Sequence, residues 1–149
     1  MAHDDLLDSG AWFSLFISTD PDHRVASTWF AANSEPLITT DYIVDETLTL
    51  LRARGQSLKA LEVGALFFAG KLDKLHYLTA RDIAAAWAVF RTFADKDWSF
   101  TDCTCKVVME FLGITTAFSF DRHFHQFGSV VVVPFGGRLA KSGNQDASH

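Results

Sequence analysis

Apolar positions along this chain switch repeatedly between a period of two and a period near 3.6, the spacings that separate strands from helices. Five short apolar or β-branched runs read as strands: Asp5 to Asp8, Pro36 to Thr39, Leu75 to Leu78, Ala117 to Phe120 and Val130 to Val133. Between them the helical spacing predicts Ala11 to Ile17, then Asp22 to Ala32 after the start signal Asp20-Pro21-Asp22. A helix from Thr40-Asp41 to Arg54 stops at Gly55, and another from Ser57 to Ala69 stops at Gly70. Thr79 caps a helix over Ala80 to Ala94, and Ser99-Phe100-Thr101-Asp102 resembles a capping box that opens a helix to Leu112, before Gly113. Asp121 to Phe127 reads as a short turn or helix. Strands alternating with helices predict an α/β fold, with helices on both faces of a mostly parallel five-stranded sheet. Residues 1–135 are expected to form a single domain. From Gly136 the composition turns to Gly, Ser, Asn and Lys, so 136–149 is expected to be a flexible C-terminal tail.

Composition narrows the picture without changing it. With 149 residues, 48% of them apolar, the chain is long enough to bury a core. Its longest apolar run, around Ala84 to Phe90, is far short of the ~20 residues that cross a bilayer. The N-terminus begins with acidic residues where a signal peptide carries basic ones, so a soluble, cytoplasmic protein is expected. Cys103 and Cys105 are the only cysteines, and on one helix they point about 200° apart, which predicts two reduced, partly buried thiols rather than a disulfide or a metal clamp. The formal net charge of −5 offers no general attraction to nucleic acid. Acids that hold a cation, however, count as negative in the formula while presenting positive charge to a ligand.

Four acids stand where strands end or helices begin: Asp8, Glu46, Asp102 and Asp121. Taken singly, each has a plain structural reading. Asp8 and Asp102 read as helix caps, Glu46 as a solvated surface residue and Asp121 as a loop acid. Glu46, however, sits at the edge of the stripe Ile43, Val44, Leu48, Leu50 and Leu51, and a Glu beside buried surface needs a partner. Together the four fall along one edge of the sheet, the edge where open α/β sheets bind ligands. Carboxylates brought together repel, and a hard divalent cation such as Mg²⁺ or Mn²⁺ removes that repulsion. No paired His or Cys pattern argues for zinc.

The stretches around these acids resemble PIN-domain nucleases of the VapC toxin type. The matching segments are Leu7-Asp8-Ser9-Gly10-Ala11-Trp12-Phe13, Thr39-Thr40-Asp41 through Glu46 to Leu51, Asp97-Trp98-Ser99-Phe100-Thr101-Asp102-Cys103, and Phe118-Ser119-Phe120-Asp121-Arg122-His123-Phe124. They run in the family's order, with its spacing, over residues 6 to about 127. The resemblance implies a three-layer α/β/α sandwich whose catalytic and metal-holding acids are Asp8, Glu46, Asp102 and Asp121, supported by the hydroxyls of Ser9 and Thr101. It further implies metal-dependent endonucleolytic cleavage of RNA to 5′-phosphate and 3′-hydroxyl ends, a homodimer, and a small antitoxin whose C-terminal segment occupies the active-site groove. The chain departs from the family at its start, where Met1 to Asp5 is shorter and more acidic than the usual apolar first strand.

Such a ligand set activates water on a metal and needs no protein nucleophile. Asp8 and Asp102 are expected closest to the main ion, with Glu46 and Asp121 binding directly or through water. Arg122 and His123, directly after Asp121, and Arg52 are candidate phosphate contacts, with Arg54 and Lys96 also near the motifs. Receiver-like and phosphatase-like folds also gather acids with Mg²⁺, but the positions where they need an Asp hold His76-Tyr77-Leu78 and Gly10. The alternative reading is a catalytically inactive PIN-like module that binds RNA or protein, which predicts an incomplete quartet. Which RNA is cut does not follow from spacing.

Overall fold

A computed structural model of the chain describes residues 4–127 and 131–133. In chain order the elements are β1 (Asp5–Leu7), α1 (Ser9–Phe16), α2 (His23–Ala32), β2 (Leu37–Thr40), α3 (Asp41–Ala53), α4 (Ser57–Phe68) and β3 (Lys74–His76). They continue as α5 (Ala80–Thr92), α6 (Phe100–Leu112), β4 (Thr116–Phe118), a 3₁₀ turn (Arg122–Phe127) and β5 (Val131–Val133). Among the described residues all four strand pairings are parallel, in the order β3-β2-β1-β4-β5. This is the five-stranded parallel sheet flanked by helices that the alternation predicts. The tail expected at 136–149, and Val130, lie outside the described residues.

Boundaries moved where polar side chains compete with the backbone. Asp8 leaves the first strand because its carboxylate accepts the Ala11 N–H at 2.8 Å, so α1 begins at Ser9, two residues before its expected start. The third strand ends at His76 because the Leu78 N–H turns aside to Asp41 Oδ1, at 3.0 Å. Ser119 leaves the fourth strand, which ends at Phe118.

Leu6 and Leu7 of β1 and Phe118 of β4 are fully buried, as are Trp12 of α1 and Phe67 of α4. Trp12 meets Phe67 edge-on at 5.0 Å and stacks on Phe16 at 5.9 Å. Such aromatic pairs contribute roughly 0.5–1.5 kcal/mol each beyond their buried area. This packing fixes α1, and with it the start of the cleft, against the sheet. Gly113 ends α6 at φ 70°, a left-handed conformation that costs glycine little, and turns the chain into β4. Strand order reverses between β1 and β4, so the first strand runs outward to β2 and β3 on one side and the later strands lie on the other. The carboxyl ends of β1 and β4 therefore form a switch point, the crevice where open α/β sheets bind ligands.

Candidate active site

Asp8 leaves the end of β1 and Asp121 follows the end of β4 by three residues, so the switch point brings the two together. The Asp8 N–H donates to the Phe118 carbonyl at 3.4 Å, tying the strand ends. Between the two acids lies Ser119, buried, whose hydroxyl donates to Asp8 Oδ2 while accepting the Asp121 N–H at 2.9 Å. One hydroxyl thus holds the Asp8 carboxylate and the Asp121 backbone. The hydroxyls expected to support the site are those of Ser9 and Thr101, and Ser119 joins them only in the structure. Its signal was available: a lone polar residue between Phe118 and Phe120 at a strand end.

Glu46 comes from α3 and accepts a hydrogen bond from the Ser9 hydroxyl at the start of α1. Ser9 therefore holds Glu46 across two helices. Thr101 lines the same cleft, half-buried, from the first turn of α6. Asp102 is the third residue of that helix and makes a full capping box: the Ser99 hydroxyl accepts the Asp102 N–H, and Asp102 Oδ2 accepts the Ser99 N–H, both at 3.0 Å. The capping role is real, and the carboxylate still faces the cleft.

The cleft holds about 820 Å³ and is lined by all four acids of the quartet. Burial pushes the Asp8 carboxyl up to about 7, with the charges of Asp121 and Asp102 adding to it and the bonds from Ser119 and Ala11 opposing it. Burial, followed by the charges of Asp102, Asp8 and Glu46, likewise pushes the Cys105 thiol well above its ordinary range. The four carboxylates share this one cleft. Cys103 and Cys105 are free and buried. Four carboxylates lining one cleft offer hard oxygen donors, which suit a divalent cation such as Mg²⁺ or Mn²⁺. Asp20, Asp22 and Asp97 also line the cleft and deepen its negative field. In the sequence Asp20 and Asp22 signal only a helix start.

The candidate phosphate contacts separate. Arg122 is exposed at the cleft, and Arg54 lies there with its guanidinium 5.7 Å from the Phe13 ring centre. Arg52 is exposed elsewhere, beside Leu48, Thr49, Ala53, Ala60 and Leu61, because two residues of α3 turn it to another face. Lys96 sits near Asp95 at 3.8 Å, in a neighbouring hollow lined by Phe90, Phe93 and Trp98. His123 is engaged by the acids themselves: its Nδ1 lies 2.9 Å from Asp102 Oδ2 and 3.4 Å from Asp121 Oδ1.

Residues 6–130 match the PIN domain family. The chain belongs to that family. This PIN domain is 28% identical over 128 residues to the 23S rRNA-specific endonuclease VapC20 of Mycobacterium tuberculosis, covering 86% of this chain and 97% of the relative. It is also similar to the crystal structure of that protein, described as a Sarcin-Ricin loop cleaving toxin, with a TM-score of 0.81 over 87% of this chain and 98% of the other. A toxin-antitoxin complex from Klebsiella pneumoniae shares the fold at 14% identity and a TM-score of 0.61, covering 85% of this PIN domain and 95% of that chain. Among the described residues no helix is long and apolar enough to cross a membrane.

Proposed function

We propose that this PIN domain is a metal-dependent endoribonuclease and the toxin of a toxin-antitoxin pair, acting in the cytoplasm as a single nuclease domain. The observation that carries the reading is the convergence of Asp8, Glu46, Asp102 and Asp121, complete, into one open cleft at the switch point of the sheet. A degenerate binding module has no reason to keep Ser119 and Ser9 aimed at two of those carboxylates. Similarity to VapC20 along nearly its whole length supports the nuclease chemistry and makes a ribosomal RNA stem-loop of the kind that toxin cleaves the first substrate to test.

In this proposal Asp8, Asp102, Asp121 and Glu46 hold Mg²⁺ or Mn²⁺. Such an ion, when bound, supplies Lewis acidity that makes water a better nucleophile and offsets charge on the phosphate oxygens. The chain's own contribution is placement. Ser119 fixes Asp8 relative to Asp121, the capping box fixes Asp102, and Ser9 fixes Glu46. Arg54 and Arg122, on the cleft wall, counter the phosphate charge of the bound strand. Water attack leaves a 5′-phosphate and a 3′-hydroxyl. The partners of this reading are a homodimeric second copy and a small cognate antitoxin.

The test incubates purified protein with intact ribosomes and with total RNA, in Mg²⁺, in Mn²⁺ and in chelator, beside Glu46→Gln, and maps new 5′ ends. One discrete cut that disappears in chelator and in the variant is expected. Cleavage that survives both rejects the metal mechanism, and no cut in any RNA rejects the nuclease reading.

A further inference from the structure

We propose that His123 is a nitrogen ligand of the divalent ion at this centre, forming with Asp102 and Asp121 a mixed set that favours a first-row transition ion such as Mn²⁺ over Mg²⁺. The inference rests on the metal-dependent reading above and adds a residue that the acidic quartet does not contain.

The geometry is that of neighbouring donors around one ion. One ligand atom each from Asp102, Asp121 and His123 lie within 4.8 Å of one another. The imidazole Nδ1 stands 2.9 Å from Asp102 Oδ2 and 3.4 Å from Asp121 Oδ1. Adjacent donors of an octahedral ion, bonded at about 2.1 Å, stand roughly 3 Å apart. The three groups therefore need little movement to share a cation.

The ring is also held in place rather than swinging on the surface. The His123 N–H donates to Asp121 Oδ1 at 2.9 Å, so the backbone of His123 is anchored to the acid its ring faces. Its neighbour Phe124 is buried and packs on Phe127 at 4.9 Å, and the other end of the 3₁₀ turn is tied by the bond from Trp98 Nε1 to Gln126, at 2.6 Å. The ring is not needed to satisfy the capping box, because Asp102 Oδ2 already accepts the Ser99 N–H.

Ligation uses the Nδ1 lone pair and leaves the ring proton on Nε2. The nitrogen that bonds the carboxylates without a cation is then the one that binds it. Mg²⁺ prefers oxygen donors, whereas imidazole nitrogen strengthens the hold on first-row transition ions. The plainer role, an internal counter-cation among the acids, places no nitrogen on the metal, and the two roles differ spectroscopically.

The full chain, stripped with chelator and reloaded with Mn²⁺, is examined by pulsed electron paramagnetic resonance for a directly bonded ¹⁴N. Wild type is expected to show that coupling, and His123→Gln to bind Mn²⁺ without it. Histidine-specific ¹⁵N labelling of the unaltered chain gives the same readout without a substitution. Calorimetric titrations with Mn²⁺ and Mg²⁺ should show the Mn²⁺ preference falling about tenfold in His123→Asp, which restores an oxygen donor. Bound Mn²⁺ with no nitrogen coupling in wild type overturns the inference and leaves the nuclease reading standing, as does coupling that persists in His123→Gln. Failure of wild type to bind Mn²⁺ at all overturns both. Nitrogen coupling in a protein that cuts no RNA upholds this inference while the function fails.

Discussion

Helices α5 and α6 open on nearly the same arrangement of atoms. In α5 the Thr79 hydroxyl accepts the Asp82 N–H and the Thr79 N–H donates to Asp82 Oδ2, both at 3.0 Å, with His76 Nε2 2.9 Å from that same oxygen. In α6, Ser99 and Asp102 repeat both bonds at 3.0 Å, and His123 Nδ1 stands 2.9 Å from Asp102 Oδ2. Their surroundings differ. Asp82 lies beside β3, at the edge of the sheet, where burial raises its pKa but the Thr79 N–H, the His76 ring and the Thr79 hydroxyl outweigh burial and bring it below 3.8. Asp102 faces the switch point, and its charge helps push Asp8 the other way, up to about 7. The capping box accounts for where an acid sits. The company it keeps accounts for what it does.

Paired substitutions break or uphold this contrast most sharply. Asparagine at either position keeps an oxygen to cap the helix but loses the charge. Asp102→Asn is expected to lower cleavage of the RNA identified with intact ribosomes by about a thousandfold or more, since metal-ion catalysis is worth several kcal/mol. Asp82→Asn should leave single-turnover cleavage within about twofold and reduce stability by about 1 kcal/mol in urea titrations. Equal losses of activity would show that the two boxes are not different in kind.

The two environments also titrate in opposite senses. Asp8 has a folded pKa raised from 3.8 to about 7, so the unfolded chain releases its proton first and the metal-free fold loses stability as pH rises through that interval. Asp82 has a lowered folded pKa, so its contribution is present above 3.8 and disappears as pH falls through its folded value. In chelator, the Asp8 share of urea stability should therefore fall by on the order of 3 kcal/mol between pH 4 and 7, beside a fall of the same sense from Asp73, which burial also raises to about 7, and Asp8→Asn should make the slope shallower by the Asp8 share. A slope unchanged in the variant would mean that Asp8 ionises freely and the acids do not crowd.

Beside Asp82 the Thr79 hydroxyl serves only its own helix, whereas Ser119 links two acids, and removing Ser119 gives a smaller effect than removing a charge. Ser119→Ala leaves Asp8 Oδ2 without its donor and the Asp121 N–H without its acceptor. Metal affinity measured by calorimetry should fall about 10- to 100-fold, the usual effect of a residue that orients ligands. Unchanged affinity would remove Ser119 from the site.

The contrast also explains what was legible in the sequence. Strand and helix order, five parallel strands and the four acids followed from periodicity and local motifs, because those depend on residues close in the chain. Ser119 stands out locally between Phe118 and Phe120, but its bond to Asp8 spans 111 positions and that of His123 to Asp102 spans 21, so the partner of each is not legible from nearby residues. Arg52 is the expected phosphate contact of α3, yet the turn of the helix puts it on another face and brings Arg54 to the cleft instead. The exposed aromatics of α5, Trp87 and Phe90, stack on each other at 6.0 Å, which the helical spacing allowed but did not require.

The smallest expected effect tests whether the α5 box is isolated from the cleft. His76 is a quarter exposed and Asp82 is buried, so their pair is partly screened, and His76→Ala should cost about 0.5–1 kcal/mol in urea midpoint with the Thr79 bonds intact. Cleavage should not change. There is one physical route by which it could: Leu78, directly before Thr79, donates to Asp41 Oδ1, and Asp41 begins the helix that carries Glu46. If losing the His76 ring loosened that link, Glu46 would shift against Ser9 and cleavage would drop with stability. A loss above about threefold in single-turnover rate would make the sheet edge part of the machinery that positions Glu46. An unchanged rate would confine the α5 box to holding its own helix.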